Sequence, residues 1–238
     1  LFAVLRRDAF LTAVERDHLY EDTNNLIQGW NQFLLGRSSY EDLDQLTNIL
    51  RSKIYLHGTD KDLLLIDVIK TLILKRFNVS VRAVLLKHSG IEMGLWESYF
   101  SKPNHIDEFW PSQVKLAEYG VFRGISAVIQ MPTSAGKTKA TEFIIRNSFL
   151  SNRSELAIVV APFRALCQEI YNDFTKNFAE DYNVNISLVS DVLQEDFIFE
   201  EDTQKSVLIL TPEKLDFMLR HDSTFSESIG LIIYDEGH

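Results

Sequence analysis

Cysteine is all but missing from the sequence. Cys167 stands alone in 238 residues, which excludes an internal disulfide framework and suits a reducing compartment. Long apolar runs are missing too. The richest, residues 63–74, is interrupted by Asp67 and Lys70 and is too short and too charged to span a bilayer. The opening LFAVLRRDAF lacks the basic, apolar, then small-residue layout of a secretory signal. A cytoplasmic protein is therefore expected, or a nuclear one in a eukaryote. Positive charge is in deficit: 24 Lys and Arg face 34 Asp and Glu, for a net charge of −10. Such a field opposes non-specific attraction to nucleic acid but leaves room for a local basic track. Glycine and proline are scarce in the first hundred residues, which disfavours a strand-and-turn domain there. An initial Met is absent as well.

What remains is ordinary globular material, 45% hydrophobic and 11% aromatic. That composition excludes wholesale disorder, and the length allows one large domain or two small ones. The acidity is uneven: residues 1–100 carry 12 basic and 13 acidic side chains, and residues 101–238 carry 12 and 21. Much of the excess lies in the acidic segment 191–202, which reads as a solvated loop or helix face.

Apolar residues recur at three- and four-residue spacing through 10–19, 26–35, 43–55, 63–77 and 81–100, the pattern of amphipathic helices. Ser39 with Asp42, and Thr59 with Asp62, are capping-box pairs just before apolar runs. Composition shifts at 101–106, where Pro103 and polar neighbours mark a connection. Beyond it, β-branched runs at 127–130, 156–161, 184–189, 207–210 and 231–234 alternate with helical stretches at 140–149, 165–178 and 213–219. That alternation predicts α/β architecture, a parallel sheet with flanking helices, after an all-helical N-terminal region. The expected division is residues 1–104 and 105–238.

The expected strand 127–130 leads into Met131-Pro-Thr-Ser-Ala-Gly-Lys-Thr138 and then a helix. A glycine turn there aims backbone N–H groups and a helix N-terminus at phosphates. Lys137 can reach the β- and γ-phosphates, and the Thr138 hydroxyl can meet Mg2+. The first glycine of the full phosphate-loop pattern is replaced by Met131. Downstream, Leu231-Ile-Ile-Tyr-Asp-Glu-Gly-His238 is an apolar strand delivering two carboxylates to the C-terminal edge of a parallel sheet, where ligands sit. Asp235 is then the expected Mg2+ carboxylate, and Glu236 the group that polarises the attacking water. Together the two motifs predict binding of a nucleoside triphosphate, and its hydrolysis.

These residues resemble superfamily-2 helicases. Pro132-Thr-Ser-Ala-Gly-Lys-Thr138 resembles motif I, and Asp235-Glu-Gly-His238 resembles motif II in its DExH form. Ala161-Pro-Phe-Arg-Ala-Leu166 is similar to motif Ia, Thr211-Pro-Glu-Lys-Leu-Asp216 to motif Ib, and Phe109-Trp-Pro-Ser-Gln113 to the adenine-reading Q motif. The spellings are most similar to the Ski-like group of RNA and repair helicases. Chromatin-remodelling translocases share Asp-Glu-Gly-His, but their motif I has an acidic, glycine-rich lead-in that this chain lacks. The resemblance implies a P-loop RecA-like fold for 105–238 and ATP with Mg2+ as cofactors. Thr133, Ser134, Ala135, Gly136, Lys137 and Thr138 would cradle the nucleotide, with Thr138 and Asp235 on the metal and Lys137, Asp235 and Glu236 catalytic. Gln113, which reads alone as an exposed helix residue, would meet the adenine edge. Phe109 or Trp110 would pack near the base or anchor the helix. Arg164, Thr211 and Pro212 would hold the sugar-phosphate backbone of DNA or RNA, although Arg164 alone reads equally as a solvated helix start. Phe163 stands where many relatives have Thr. His238 would couple the two sites.

The resemblance also implies a second RecA-like domain, which supplies the arginines that stabilise charge during hydrolysis. This chain alone is accordingly expected to bind ATP weakly and hydrolyse it very slowly. It is further expected to be the front part of a longer polypeptide, because a central sheet ending at motif II has an uncovered edge. The competing reading is a non-catalytic scaffold. There the helical residues 1–100 dock a protein partner, such as a nuclease in a bacterial antiviral system.

Overall fold

A computed structural model describes residues 20–34, 37–132, 135–179, 181, 183–189, 205–221 and 224–236. The chain forms two compact units, Leu1–Ala83 and Val84–His238. The expected helix at 10–19 and the acidic segment 191–202 lie outside the described residues. No helix among the described residues is long and apolar enough to cross a membrane.

The first unit contains helices α1 (Tyr20–Leu34), α2 (Tyr40–His57) and α3 (Asp60–Val79). Both expected capping boxes form. Ser39 accepts from the Asp42 amide while the Asp42 carboxylate accepts from the Ser39 amide, and Thr59 and Asp62 do the same. Each box satisfies two backbone donors that a helix start would otherwise leave open. The apolar stripes meet through Trp30, Leu43, Leu50, Ile66 and Ile73. Arg51 grips the Asp67 carboxylate with two hydrogen bonds of 2.6 and 3.2 Å, joining α2 to α3.

Helix α4 (Val81–His88) ends well short of the expected helix over 81–100. Gly90 takes a left-handed conformation, φ 72°, and the chain turns into a 3-10 turn (Met93–Trp96) and a single helical turn, α5 (Glu97–Phe100). A left-handed residue ends a right-handed helix, and glycine adopts it without steric cost. The residues that follow pack within the second unit, upstream of the composition shift at 101–106. Trp96 stacks on Phe143 at 5.9 Å, and Tyr99 meets the same ring edge-on at 5.0 Å.

Helix α6 (Pro111–Glu118) is followed by a 3-10 turn (Val121–Arg123) and, after a longer connection, by α7 (Lys137–Leu150); from there strand and helix alternate. The elements are β1 (Leu156–Val160), α8 (Arg164–Phe178), β2 (Val184–Leu188), β3 (Lys205–Leu210), α9 (Pro212–His221), α10 (Phe225–Ser228) and β4 (Ile229–Tyr234). The sheet is wholly parallel, in the order β2-β3-β1-β4. Every residue of β1 is buried, as a strand covered on both faces requires. Alternate residues serve opposite layers: Ala157 and Val159 join Phe174 and Ile209 on one face, while Ile158 and Val160 join Leu210 and Phe225 on the other. The protein is thus α/β, a P-loop RecA-like parallel sheet with flanking helices, preceded by a helical region.

One expected strand does not form. Residues 127–130 lie outside the sheet, with Val128 fully exposed. Their β-branched content suits a strand, but a strand also needs a ladder partner and a face to bury. Among the described residues β4 pairs only with β1, so neither condition is met.

Candidate functional site

The end of the phosphate-loop segment is built onto the start of α7. Gly136 is the residue before the helix and has φ 78°, a backbone that favours glycine. Space imposes the same choice: a Cβ on Gly136 would lie 2.5 Å from the Gln113 Nε2. Lys137 and Thr138 open the helix, with Lys137 half-buried and Thr138 exposed. Thr133 and Ser134 lie outside the described residues. Ala135 is buried at the turn.

Helix α6 holds this turn from behind. Gln113 Nε2 donates to the Gly136 carbonyl at 2.9 Å, and Ser112 Oγ donates to the Ala135 carbonyl at 3.1 Å. Gln113 Oε1 accepts from the Trp110 amide at 2.8 Å and so caps its own helix. Gln113 is 1% exposed, which corrects its reading as an exposed helix residue. The burial follows from these bonds, which satisfy both ends of the carboxamide. Phe109 is buried against Phe143 at 4.7 Å and is the anchor of the segment, whereas Trp110 is half-exposed. Ser112 carried no signal in the sequence, since its partner lies 23 residues away.

The carboxylates arrive from β4. The Asp235 amide donates to the Val160 carbonyl at 2.8 Å, extending the β1–β4 ladder by one bond. Glu236 follows with φ 53°, an uncommon conformation for a residue bearing a Cβ. Its Oε1 receives a 2.8 Å hydrogen bond from Lys137 Nζ, an ion pair between residues 99 apart in the chain. The Glu236 hydrogen bond, more than the nearby charges, raises the Lys137 pKa above its ordinary value. Lys137 of the glycine turn and Glu236 after β4 thus lie side by side. His238 lies outside the described residues.

A network of charges secures α7 beyond its first turn. Glu142 accepts from Lys139 at 2.7 Å and Arg146 at 2.9 Å, and Arg146 reaches Asp181 at 2.8 Å. Lys102 donates to the same Asp181 oxygen at 2.6 Å. Glu142, Arg146 and Lys102 are all buried, so the loss of any one would strand its partners away from water.

The candidate nucleic-acid residues lie where β1 and β3 end. The Ala161 amide donates to the Leu210 carbonyl at 3.1 Å, which sets the start of α8 beside the start of α9. Arg164 is exposed in the first turn of α8, and Pro212 opens α9 half-buried. Thr211 is 8% exposed, and a side-chain hydrogen bond with Thr211 lowers the Glu213 pKa.

Two kinds of oxygen donor are available as metal-ligand candidates, the Asp235 and Glu236 carboxylates after β4 and the Thr138 hydroxyl at the start of α7. No cluster of three or more His, Cys, Asp or Glu able to hold a metal occurs among the described residues. Mg2+ is held by one or two protein oxygens plus substrate phosphates, a donor set of the kind that Asp235 and Thr138 can supply.

Comparison with known proteins agrees with this arrangement. The chain is 35% identical over 141 residues to the Hachiman protein HamB of Bacillus cereus, covering 59% of this chain and 12% of that protein. It is 28% identical over 138 residues to the ATP-dependent DNA helicase Hel308 of Thermococcus kodakarensis, covering 58% and 12%. For Hel308 of Methanococcus vannielii the identity is 30% over 139 residues, covering 56% and 18%. The chain therefore spans less than a fifth of the length of these relatives. Residues 111–238, more than half of the chain, match the DEAD/DEAH box helicase family. With the parallel sheet, the glycine turn before Lys137 and the carboxylates after β4 in place, the chain belongs to the DEAD/DEAH box helicase family.

Proposed function

We propose that this chain forms the ATP-binding lobe of a helicase or translocase motor of the Ski-like group, with residues 105–238 as the first RecA-like domain and residues 1–104 as a helical extension. The observation that carries the reading is the 2.8 Å pair between Lys137 and Glu236. It brings the lysine of the phosphate turn to the glutamate of motif II, and phosphoryl transfer depends on positioning and charge stabilisation. Lys137 holds the β- and γ-phosphates of ATP, and the turn of Thr133, Ser134, Ala135 and Gly136 wraps them. Gln113, 1% exposed between its bonds to Gly136 and Trp110, would turn outward to meet the adenine edge. Thr138 and Asp235 would hold Mg2+, which would supply charge neutralisation at the phosphates. Glu236 orients and deprotonates the attacking water once phosphate has drawn Lys137 away. His238 links this site to the bound strand, held by Arg164, Thr211 and Pro212.

The Hel308 relatives are ATP-dependent DNA helicases, which favours DNA over RNA as the track. A second RecA-like domain in the complete polypeptide supplies the arginines, so residues 1–238 alone bind ATP weakly and hydrolyse it very slowly.

The test is ATPase activity of the complete polypeptide with single-stranded DNA, duplex DNA and RNA. Lys137→Ala and Glu236→Gln are each expected to lower the stimulated rate by roughly a hundredfold or more. Glu236→Gln should retain ATP binding, while Lys137→Ala should lose it. A protein whose cellular activity survives both changes is a scaffold, with residues 1–100 as its docking region, and the motor reading then fails.

A further inference from the structure

Phe163 fits neither of the two local roles open to it. It is the residue immediately before α8, where Ser, Thr, Asp or Asn would accept a hydrogen bond from the first turn, and it makes no side-chain cap. A large apolar residue in that place usually finds a core instead. Phe163 is 70% exposed. The sequence thus forgoes a cap and leaves an aromatic ring in water at the same position. Local rules broken together, with no structural return, mark a site shaped by binding.

The surroundings indicate what binds. Phe163 follows β1 directly, and β1 lies between β3 and β4 in the sheet. On one side the Ala161 amide joins the end of β3, beside Thr211; on the other, the Val160 carbonyl joins Asp235. The ring therefore stands on the edge shared by the candidate backbone-holding residues and the motif II carboxylates. Next to it, Arg164 is exposed in the uncapped first turn of α8. A cation beside an uncapped helix start offers charge and N–H groups to a phosphate. An aromatic face offers nothing to a phosphate, but it accepts the flat face of any base without regard to sequence. One nucleotide presents both groups about one sugar apart.

We propose that Phe163 stacks on a base of the bound strand while Arg164 holds an adjoining phosphate. This inference rests on the motor reading above and deepens it. The strand is single-stranded or locally unstacked where it crosses the end of β1, because a base inside a duplex has no free face to offer. Grip at this point is shared between base and backbone, and the stacking share is independent of salt.

Fluorescence anisotropy of the complete polypeptide, with labelled single-stranded DNA and RNA oligonucleotides across a salt range, tests the proposal. Phe163→Ala should weaken binding roughly tenfold, and Phe163→Leu should weaken it as much, because leucine keeps the apolar bulk without the ring. Phe163→Tyr should bind within about a factor of two of the original, as its ring stacks equally. The salt slope should be unchanged for these variants and fall by about one for Arg164→Ala. Scanning one abasic site along the oligonucleotide should reveal a position at which Phe163→Ala has no further effect.

Far-UV circular dichroism verifies that each variant is folded; if Phe163→Ala is not, the Leu and Tyr variants carry the comparison. Equal affinity for Phe163→Ala or Phe163→Leu and the original overturns the proposal. So does a loss that is the same at every abasic position, which would place the ring against protein. The motor reading fails separately, if the original protein binds none of these oligonucleotides at low salt.

Discussion

Gly136 is constrained from two directions at once. Its φ of 78° favours a residue without a Cβ, and the Gln113 amide occupies the space a Cβ would need. Left-handed backbone costs an ordinary residue about 1–2 kcal/mol, and the clash adds to it. Gly136→Ala should therefore destabilise the second unit in urea and abolish ATP binding measured by calorimetry. If it binds ATP normally, the turn has a freedom that this geometry denies. The residues proposed to meet the phosphates stand out in the sequence because their chemistry is local: a lysine and a hydroxyl following a glycine at a helix start. Ser112 was not legible, and neither was the attachment of Gln113 to the turn. Both depend on a helix docking against a loop 23 positions downstream, and nothing in either segment's spelling encodes that approach.

Among elements, the N-terminal helices show how a cap carries a pH dependence. Hydrogen bonds from Ser39 hold the Asp42 carboxyl below its ordinary range, and those from Thr59 do the same for Asp62. A carboxyl with a depressed folded pKa contributes stability above its unfolded value, about 3.9, and that contribution is lost as pH falls through the folded value. The double variant Ser39→Ala and Thr59→Ala should lower the melting temperature at neutral pH. The deficit should shrink in acid, where the boxes are already protonated; thermal melts at both pH values will check this. These starts were readable because four residues contain the whole motif. The helix expected over 81–100 was misjudged for a related reason. Its apolar spacing persists across Gly90, and only the backbone turn at φ 72° reveals the break. Residues 127–130 show the converse: β-branched chemistry was visible, but the partner edge it needs is a property of the sheet.

At the scale of the whole molecule, the second unit is centred on aromatic contacts that no single element contains. Phe143, from the helix of the phosphate turn, receives Trp96, Tyr99, Phe109 and Phe122 around its ring. Burial is the main cause that raises the Tyr99 phenol pKa well above its usual value. A group with a raised folded pKa keeps its stabilising contribution below the unfolded value, about 10, and loses it as pH climbs toward the folded value. Urea midpoints should thus fall between about pH 8 and about pH 11, and fall less in Tyr99→Phe. That variant should also be weaker at neutral pH by about 1–3 kcal/mol, because the Ile106 amide that donates to the Tyr99 hydroxyl at 2.9 Å loses its acceptor. A slope identical in both proteins would assign the alkaline loss elsewhere. The aromatic richness was evident in the composition, but its gathering around one ring depended on the fold.

The bond between the Asp235 amide and the Val160 carbonyl ties the backbone of the first of the two carboxylates to the neighbouring strand. Asp235 is fastened to a strand whose every residue is buried, so its amide hydrogen is released to solvent only when the sheet itself opens. Glu236 stands one residue past that anchor on a backbone of φ 53°, its amide donating to Asp235 Oδ1 at 3.1 Å and its carboxylate paired with Lys137. The backbone beneath the first carboxylate thus moves with the sheet, while the second can change partners by a side-chain rotation alone. In the proposed motor, where Asp235 would hold a metal and Glu236 would act as a base on each turnover, that difference in clocks would serve both roles.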